Sequence, residues 1–323
     1  MTGKRKNPTT AGSGAARAGS DGPAGAKPAK PSAAAQRLAA QRALAAANRE
    51  RQARQRRLLT VLTPIVAVVL IVAVLVVVKL ATGPSTPKSG TRAAPAANAV
   101  QAAVTGMPAS VLDQVGTGTV ASVPSALPGP PLTADGKPRI LFVGAEWCPY
   151  CAAERWPLAV ALSRFGTLTG LGEVTSSPTD VYPNTATLSF HGAGYTSTLL
   201  SLTAKEIYSN QVQGTSYAPL DTLDAADNQL FSTVGKNGFP FLDIGGRYLV
   251  NTASYDPSVL AGKSQAQIAA ALSDPSSPIA KAVGGAANVL TAAICRLTSR
   301  QPAGVCTSAG VTAAAAVLPA AGT

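Results

Sequence analysis

The stretch that most constrains the fold is Arg139–Gly166. Arg139–Ala145 (RILFVGA) is a short apolar run bounded by Gly136-Lys137-Pro138 on one side, with Gly144 near its other end. Its length and flanks predict a buried strand. Glu146-Trp147-Cys148-Pro149-Tyr150-Cys151 follows, and then AAERWPLAVALSRFG, a run of helix formers that stops at Gly166. The two cysteines therefore fall where a strand hands over to a helix. Cys148 is expected at the first helical turn, where free backbone N–H groups and the helix dipole stabilise a thiolate. Pro149 suits the first helical position because it lacks the N–H that would go unpaired there. Cys151, one turn on, can reach back to Cys148. The expected roles are Cys148 as attacking thiolate and Cys151 as the thiol that resolves the mixed disulfide. Glu146 beside the motif can assist proton transfer, although its position reads as a solvated surface carboxylate.

Asn237-Gly238-Phe239-Pro240 leads into FLDI, Gly245-Gly246 and RYLVNT. Two alternating apolar runs joined by Gly-Gly predict a tight hairpin. Pro240 is similar in position to the cis-proline that precedes such a hairpin in thioredoxin-like proteins and packs against their redox pair. The fold class expected is thus α/β and thioredoxin-like. Leu220–Val234, with apolar residues at helical spacing and a break at Gly235, is read as a helical insertion before the hairpin.

An uncharged run of 21 residues, Leu58–Val78, lies upstream. As a helix it would be ~31 Å long, the thickness of a bilayer core. It is longer than the apolar region of a signal peptide and lacks a small-residue cleavage site. Of the 27 Lys and Arg residues, 13 lie in residues 1–57 with only two acids, while the other 266 residues carry a net charge of +1. The basic side of a span faces the cytoplasm. The expected organisation is a disordered basic cytoplasmic tail over 1–57, a transmembrane helix over 58–80 and a flexible linker over 81–106. A thioredoxin-like ectodomain over 107–306 and a disordered tail over 307–323 complete it. The basic residues are assigned to topology and anionic lipid contact, not to nucleic acid. The ectodomain is expected outside the cytoplasm, with exported proteins as substrates and a separate redox partner.

Over about residues 107–306 the chain resembles a family of membrane-anchored, thioredoxin-like proteins known as domain-of-unknown-function family 929. The resemblance is carried by GKPRILFVGAEWCPYCAAERWPLAVALSRFG, DVYPNTATLSFHG, NGFPFLDIGGRYLVN and ICRLTSRQPAGVC. It implies a fold and a redox site but no activity. Pro149-Tyr150 is similar to the dipeptide of glutaredoxins, and Trp147 to the residue before the first cysteine of thioredoxin. Phe142 stands where thioredoxin has a buried carboxylate, which argues against a mechanism using that proton acceptor.

Ser277-Pro278 predicts the start of a helix with an apolar stripe of Ile279, Val283, Leu290, Ile294 and Leu297. Cys295 lies late on it, and Gln301-Pro302-Ala303-Gly304 turns the chain before Cys306, so these two are expected to form a structural disulfide. His191, the one histidine, is read as a turn residue. No cofactor or metal is expected. Three functions fit the sequence: a thiol–disulfide oxidoreductase, a non-catalytic binding module whose Cys148–Cys151 bridge is structural, and a holder of copper(I) or zinc on those thiols.

Overall fold

Ile140–Gly144 form an unbroken buried run at the centre of a mixed sheet. The structure, a computed structural model, describes residues 99–322. The tail over 1–57, the span over 58–80 and most of the linker lie outside those residues. The elements are, in order, α1 (Ala99–Thr105), α2 (Ala109–Val115), β1 (Ser125–Ala126), β2 (Thr133–Ala134), β3 (Lys137–Gly144) and α3 (Pro149–Ser163). Then come β4 (Thr167–Thr169), β5 (Gly172–Thr175), β6 (Ala186–Ser189), β7 (Gly194–Thr196), β8 (Ser201–Glu206), β9 (Tyr208–Gln213), β10 (Ser216–Pro219) and α4 (Ala225–Thr233). The chain closes with β11 (Phe241–Ile244), β12 (Tyr248–Val250), a short 3-10 turn, α5 (Gln265–Ala271), α6 (Pro278–Leu297), α7 (Ala303–Cys306) and α8 (Ala309–Ala315).

Strand β3 pairs in parallel with β8, from Arg139 opposite Ser201 to Gly144 opposite Glu206. On its other side it pairs antiparallel with β11, Phe241 facing Val143 and Ile244 facing Ile140. The hairpin β11–β12 turns on Gly245 and Gly246, both at positive φ that side chains rarely adopt. Alternate residues face opposite sides of the sheet, as the pleat requires. Ile140, Phe142, Leu242 and Ile244 join the main core with α3 and α6, whereas Leu141, Val143 and Phe241 pack with Phe231 of α4. A strand covered on both faces reads as a continuous apolar run.

Helix α3 is buried from Cys151 to Leu162. Pro157 within it cannot donate to the carbonyl of Ala153. Tyr255 does so instead, its hydroxyl lying 2.8 Å from that oxygen. Ser277 caps α6 by accepting from the Ile279 N–H, with Pro278 at the first position, as the sequence predicts. Among the described residues α6 alone has the length and apolarity to cross a membrane, but most of it is buried in this core.

Four expectations need correction. The linker assigned to 81–106 gives way at Ala99 to α1, whose Val100 and Val104 are buried. The tail assigned to 307–323 contains α8, with Val311 and Ala314 in the core and the Gly310 N–H donating to Asp113. The helix read over Leu220–Val234 is shorter, because Asp224 caps it by accepting from the Asp227 N–H and Leu220 instead donates to the Ile207 carbonyl. Glu146 is not a solvated carboxylate. It is 7% exposed and accepts a 2.7 Å hydrogen bond from Ser189 of β6.

Candidate functional site

Cys148 is the N-cap of α3. Its Sγ accepts from the Cys151 N–H at 3.2 Å, and Pro149 occupies the first helical position. A sulfur in this place takes the hydrogen bond that an N-cap oxygen would take. Both thiols are unbonded and buried, Cys148 3% exposed and Cys151 0%. Trp147, Tyr208 and Phe239 pack on the cluster formed by Ala145, Cys148 and Cys151. Trp147 stacks on Tyr217 of β10 at 5.1 Å and meets the edge of Phe239. Tyr150 is exposed and stands edge-on to Tyr182. The Phe239–Pro240 bond is cis, and Pro240 is buried directly after Phe239.

Burial alone would raise the Cys148 thiol. Hydrogen bonds from Cys151 and the Tyr150 backbone, together with the charge of Arg155, outweigh it and hold this thiol below its ordinary value. Burial pushes Cys151 well up, and its hydrogen bond and charge contact with Cys148 push it further. The two thiols are thus set apart, the N-terminal one toward thiolate and the C-terminal one toward the protonated form.

Two buried ionisable side chains lie on α3 just beyond the cysteines. Arg155, one turn after Cys151, is fully buried and pairs with Glu206 at the end of β8 through two 2.7 Å bonds, Nε to Oε1 and Nη2 to Oε2. Its Nη2 also donates to the Ala145 carbonyl at 2.7 Å. Gly144 makes room for the carboxylate, because a Cβ there would meet Glu206 Oε2 at 2.8 Å. Sequence reading missed this pair. Its signal was a Glu154-Arg155 dipeptide inside a helix with apolar residues on every side. Glu154 is buried too, accepting from the Ser254 N–H at 2.8 Å and hydroxyl at 3.0 Å. Burial pushes its carboxyl up to about 8.

Residues 127–218 match the family model of the Domain of unknown function DUF929. The match holds Cys148, Cys151, Arg155, Glu206 and Tyr208, and ends before Pro240 and the Cys295–Cys306 pair. No curated protein and no solved structure gave a match. Cys295 and Cys306 form a disulfide with Cα atoms 5.7 Å apart, joining the end of α6 to α7. Bonded to each other, they are removed as ligands for a metal at Cys148 and Cys151. Among the described residues no group of three or more His, Cys, Asp or Glu is placed to hold one. His191 lies in an exposed turn, its Nδ1 2.8 Å from Asp221.

Proposed function

We propose that the domain is a thioredoxin-like thiol–disulfide oxidoreductase, anchored through Leu58–Val78 and acting on exported proteins. The observation that carries the reading is the division of labour within the pair: Cys148 Sγ is the cap of α3 and favoured as thiolate, while Cys151 is held protonated one turn on. Further support comes from topology. Strand β3 leads into the cysteine helix, β8 lies parallel beside it, and the hairpin β11–β12 follows a cis proline. This arrangement is similar to the core of thioredoxin-like proteins.

In the reducing direction the Cys148 thiolate attacks a substrate disulfide. A Cys148–substrate bond forms, and one substrate sulfur leaves and takes up a proton. Cys151 then loses its proton and attacks Cys148 Sγ, forming the Cys148–Cys151 bond and releasing the second substrate thiol. Two electrons pass from the pair to the substrate. The reverse sequence oxidises a substrate dithiol.

Trapping tests this. With Cys151→Ser, substrates are expected to stay linked to Cys148, and they are expected to be exported proteins. A catch of cytoplasmic proteins overturns the location, and no catch counts against the activity. Single-cysteine variants provide a second check. Alkylation of Cys148 is expected to outpace that of Cys151 at neutral pH, and the opposite order reverses the roles.

The burial of both thiols favours the alternative of a binding module with a structural bridge. Its signature is a reduction potential below about −300 mV, against roughly −120 to −270 mV for catalytic pairs.

A further inference from the structure

Arg155 and Glu206 form a fully buried ion pair whose arginine lies on the cysteine helix, and the pair is costly. Burying two charges is repaid only by good geometry and full hydrogen bonding, and apolar residues of similar volume often serve stability as well or better. Here the bonding is incomplete. Arg155 Nη1 is buried with no hydrogen-bond partner among the described residues. Leaving such a bond unmade is unfavourable, the more so on a charged group. Packing therefore does not account for the arginine.

Its placement does. The Ala145 carbonyl accepts from Arg155 Nη2 at 2.7 Å and from the Cys148 N–H at 3.1 Å. The guanidinium and the Cys148 backbone thus meet on one oxygen. Glu206 is tied across the Nε–Nη2 edge of the guanidinium, and Nη1 is left out of that fork. The carboxylate itself is fixed from β8, whose register sets Glu206 opposite Gly144. Phe190 also donates its N–H to Oε1 at 3.4 Å.

We propose that Arg155 is a positioning residue that holds a fixed positive charge beside the cysteine pair and thereby favours the thiolate of Cys148, with Glu206 fixing its orientation. Coulomb attraction through low-dielectric protein is much stronger than through water. The charge relations agree: the arginine lowers both thiols, while the glutamate acts on Cys151 and opposes it there. This assignment deepens the oxidoreductase reading and rests on it for its purpose.

The test is the pH titration of Cys148, followed by the ultraviolet absorbance of its thiolate in full-length Cys151→Ser protein. Arg155→Met alone would strand Glu206 as an unpaired buried charge and can unfold the domain. The informative variant is therefore Arg155→Met with Glu206→Gln, which removes both charges together. The expected result is an inflection moved to higher pH by about one unit, or about tenfold less thiolate near neutrality. Arg155→Lys, which keeps the charge but not the fork, is expected to stay near the parent inflection. An unchanged inflection in the folded double variant overturns the proposal. So does an Arg155→Lys inflection that moves as far as that of the double variant. The titration reads the thiol alone. A failed substrate trap with an arginine-dependent inflection therefore rejects the activity and leaves this assignment standing.

Discussion

Replacing Glu154 with Gln is expected to stabilise the domain at neutral pH by on the order of 3 kcal/mol and to change little near pH 4. Glu154 is fully buried on α3, and its hydrogen bonds are to the N–H and hydroxyl of Ser254. Among the described residues it has no cationic partner. Burial raises its carboxyl from 4.5 to about 8, against the lowering effect of the Ser254 bonds. The folded state therefore holds a proton that the unfolded chain has released. A carboxyl raised on folding contributes stability that is complete below its unfolded value and is lost as pH climbs toward its folded one. The loss runs at about 1.4 kcal/mol per pH unit between roughly 4.5 and 8.

Gln mimics the protonated acid. Its oxygen can accept from the Ser254 N–H and its amide can donate to the hydroxyl, so the swap keeps both bonds. Tyr255, whose own hydroxyl is pushed up by burial and by Glu154, is the titratable neighbour that responds to the same change. Asp243, raised by burial to about 6, adds a similar slope at lower pH that the substitution does not touch. Urea unfolding at acid and neutral pH checks the expectation. Parallel pH profiles for the parent and Glu154→Gln would show that Glu154 is ionised in the folded protein.

The features that sequence reading reached depend on local chemistry. A short apolar run over Arg139–Ala145, a Pro at the first helical position, a Gly-Gly turn and a Ser-Pro helix start each act within a few residues. Each is found at its predicted place. What escaped depends on register or on small residues. Arg155 and Glu206 are 51 residues apart, and only the parallel pairing of β3 with β8 sets Glu206 across from Gly144. Glu146 looked solvated because Ser189, its partner, arrives from β6. The helices α1 and α8 were hidden in alanine. Helix α8 has few large side chains, yet its smallness is what lets it approach: a Cβ on Gly310 would crowd the Asn288 amide at 2.6 Å. Arg296 and Arg247 then tie the end down, donating to the carbonyls of Ala315 and Gly322 at 3.0 and 2.9 Å. Long polar side chains that satisfy distant carbonyls leave no periodic trace in a sequence.

Replacing both Cys295 and Cys306 with Ser is expected to lower stability by about 3 kcal/mol and the melting temperature by roughly 6–12 °C, while leaving the Cys148 titration in place. The bond spans a sequence separation of 11. Closing a loop of that size removes configurations mainly from the unfolded chain, and the loop-entropy relation gives the energy. A native-state loss adds to it. Cys295 and Cys306 are both buried, and serine hydroxyls there exchange apolar sulfur for polar groups that need partners. The bond also holds α7 against the end of α6, and α8 follows directly. Unfolding is therefore expected to begin at this C-terminal segment. The apolar side chains clustered with Cys148 and Cys151 come from the strand–helix turn, Tyr208 and Phe239, and the charged groups that act on them are Arg155 of α3 and Glu206 of β8. The two cysteine pairs are thus expected to act independently. Calorimetry of the double variant, paired with thiol titration, separates the outcomes. A melting temperature near that of the parent, with loss of re-oxidation or re-reduction at Cys148 and Cys151, would make the second pair an electron shuttle instead of a structural clasp.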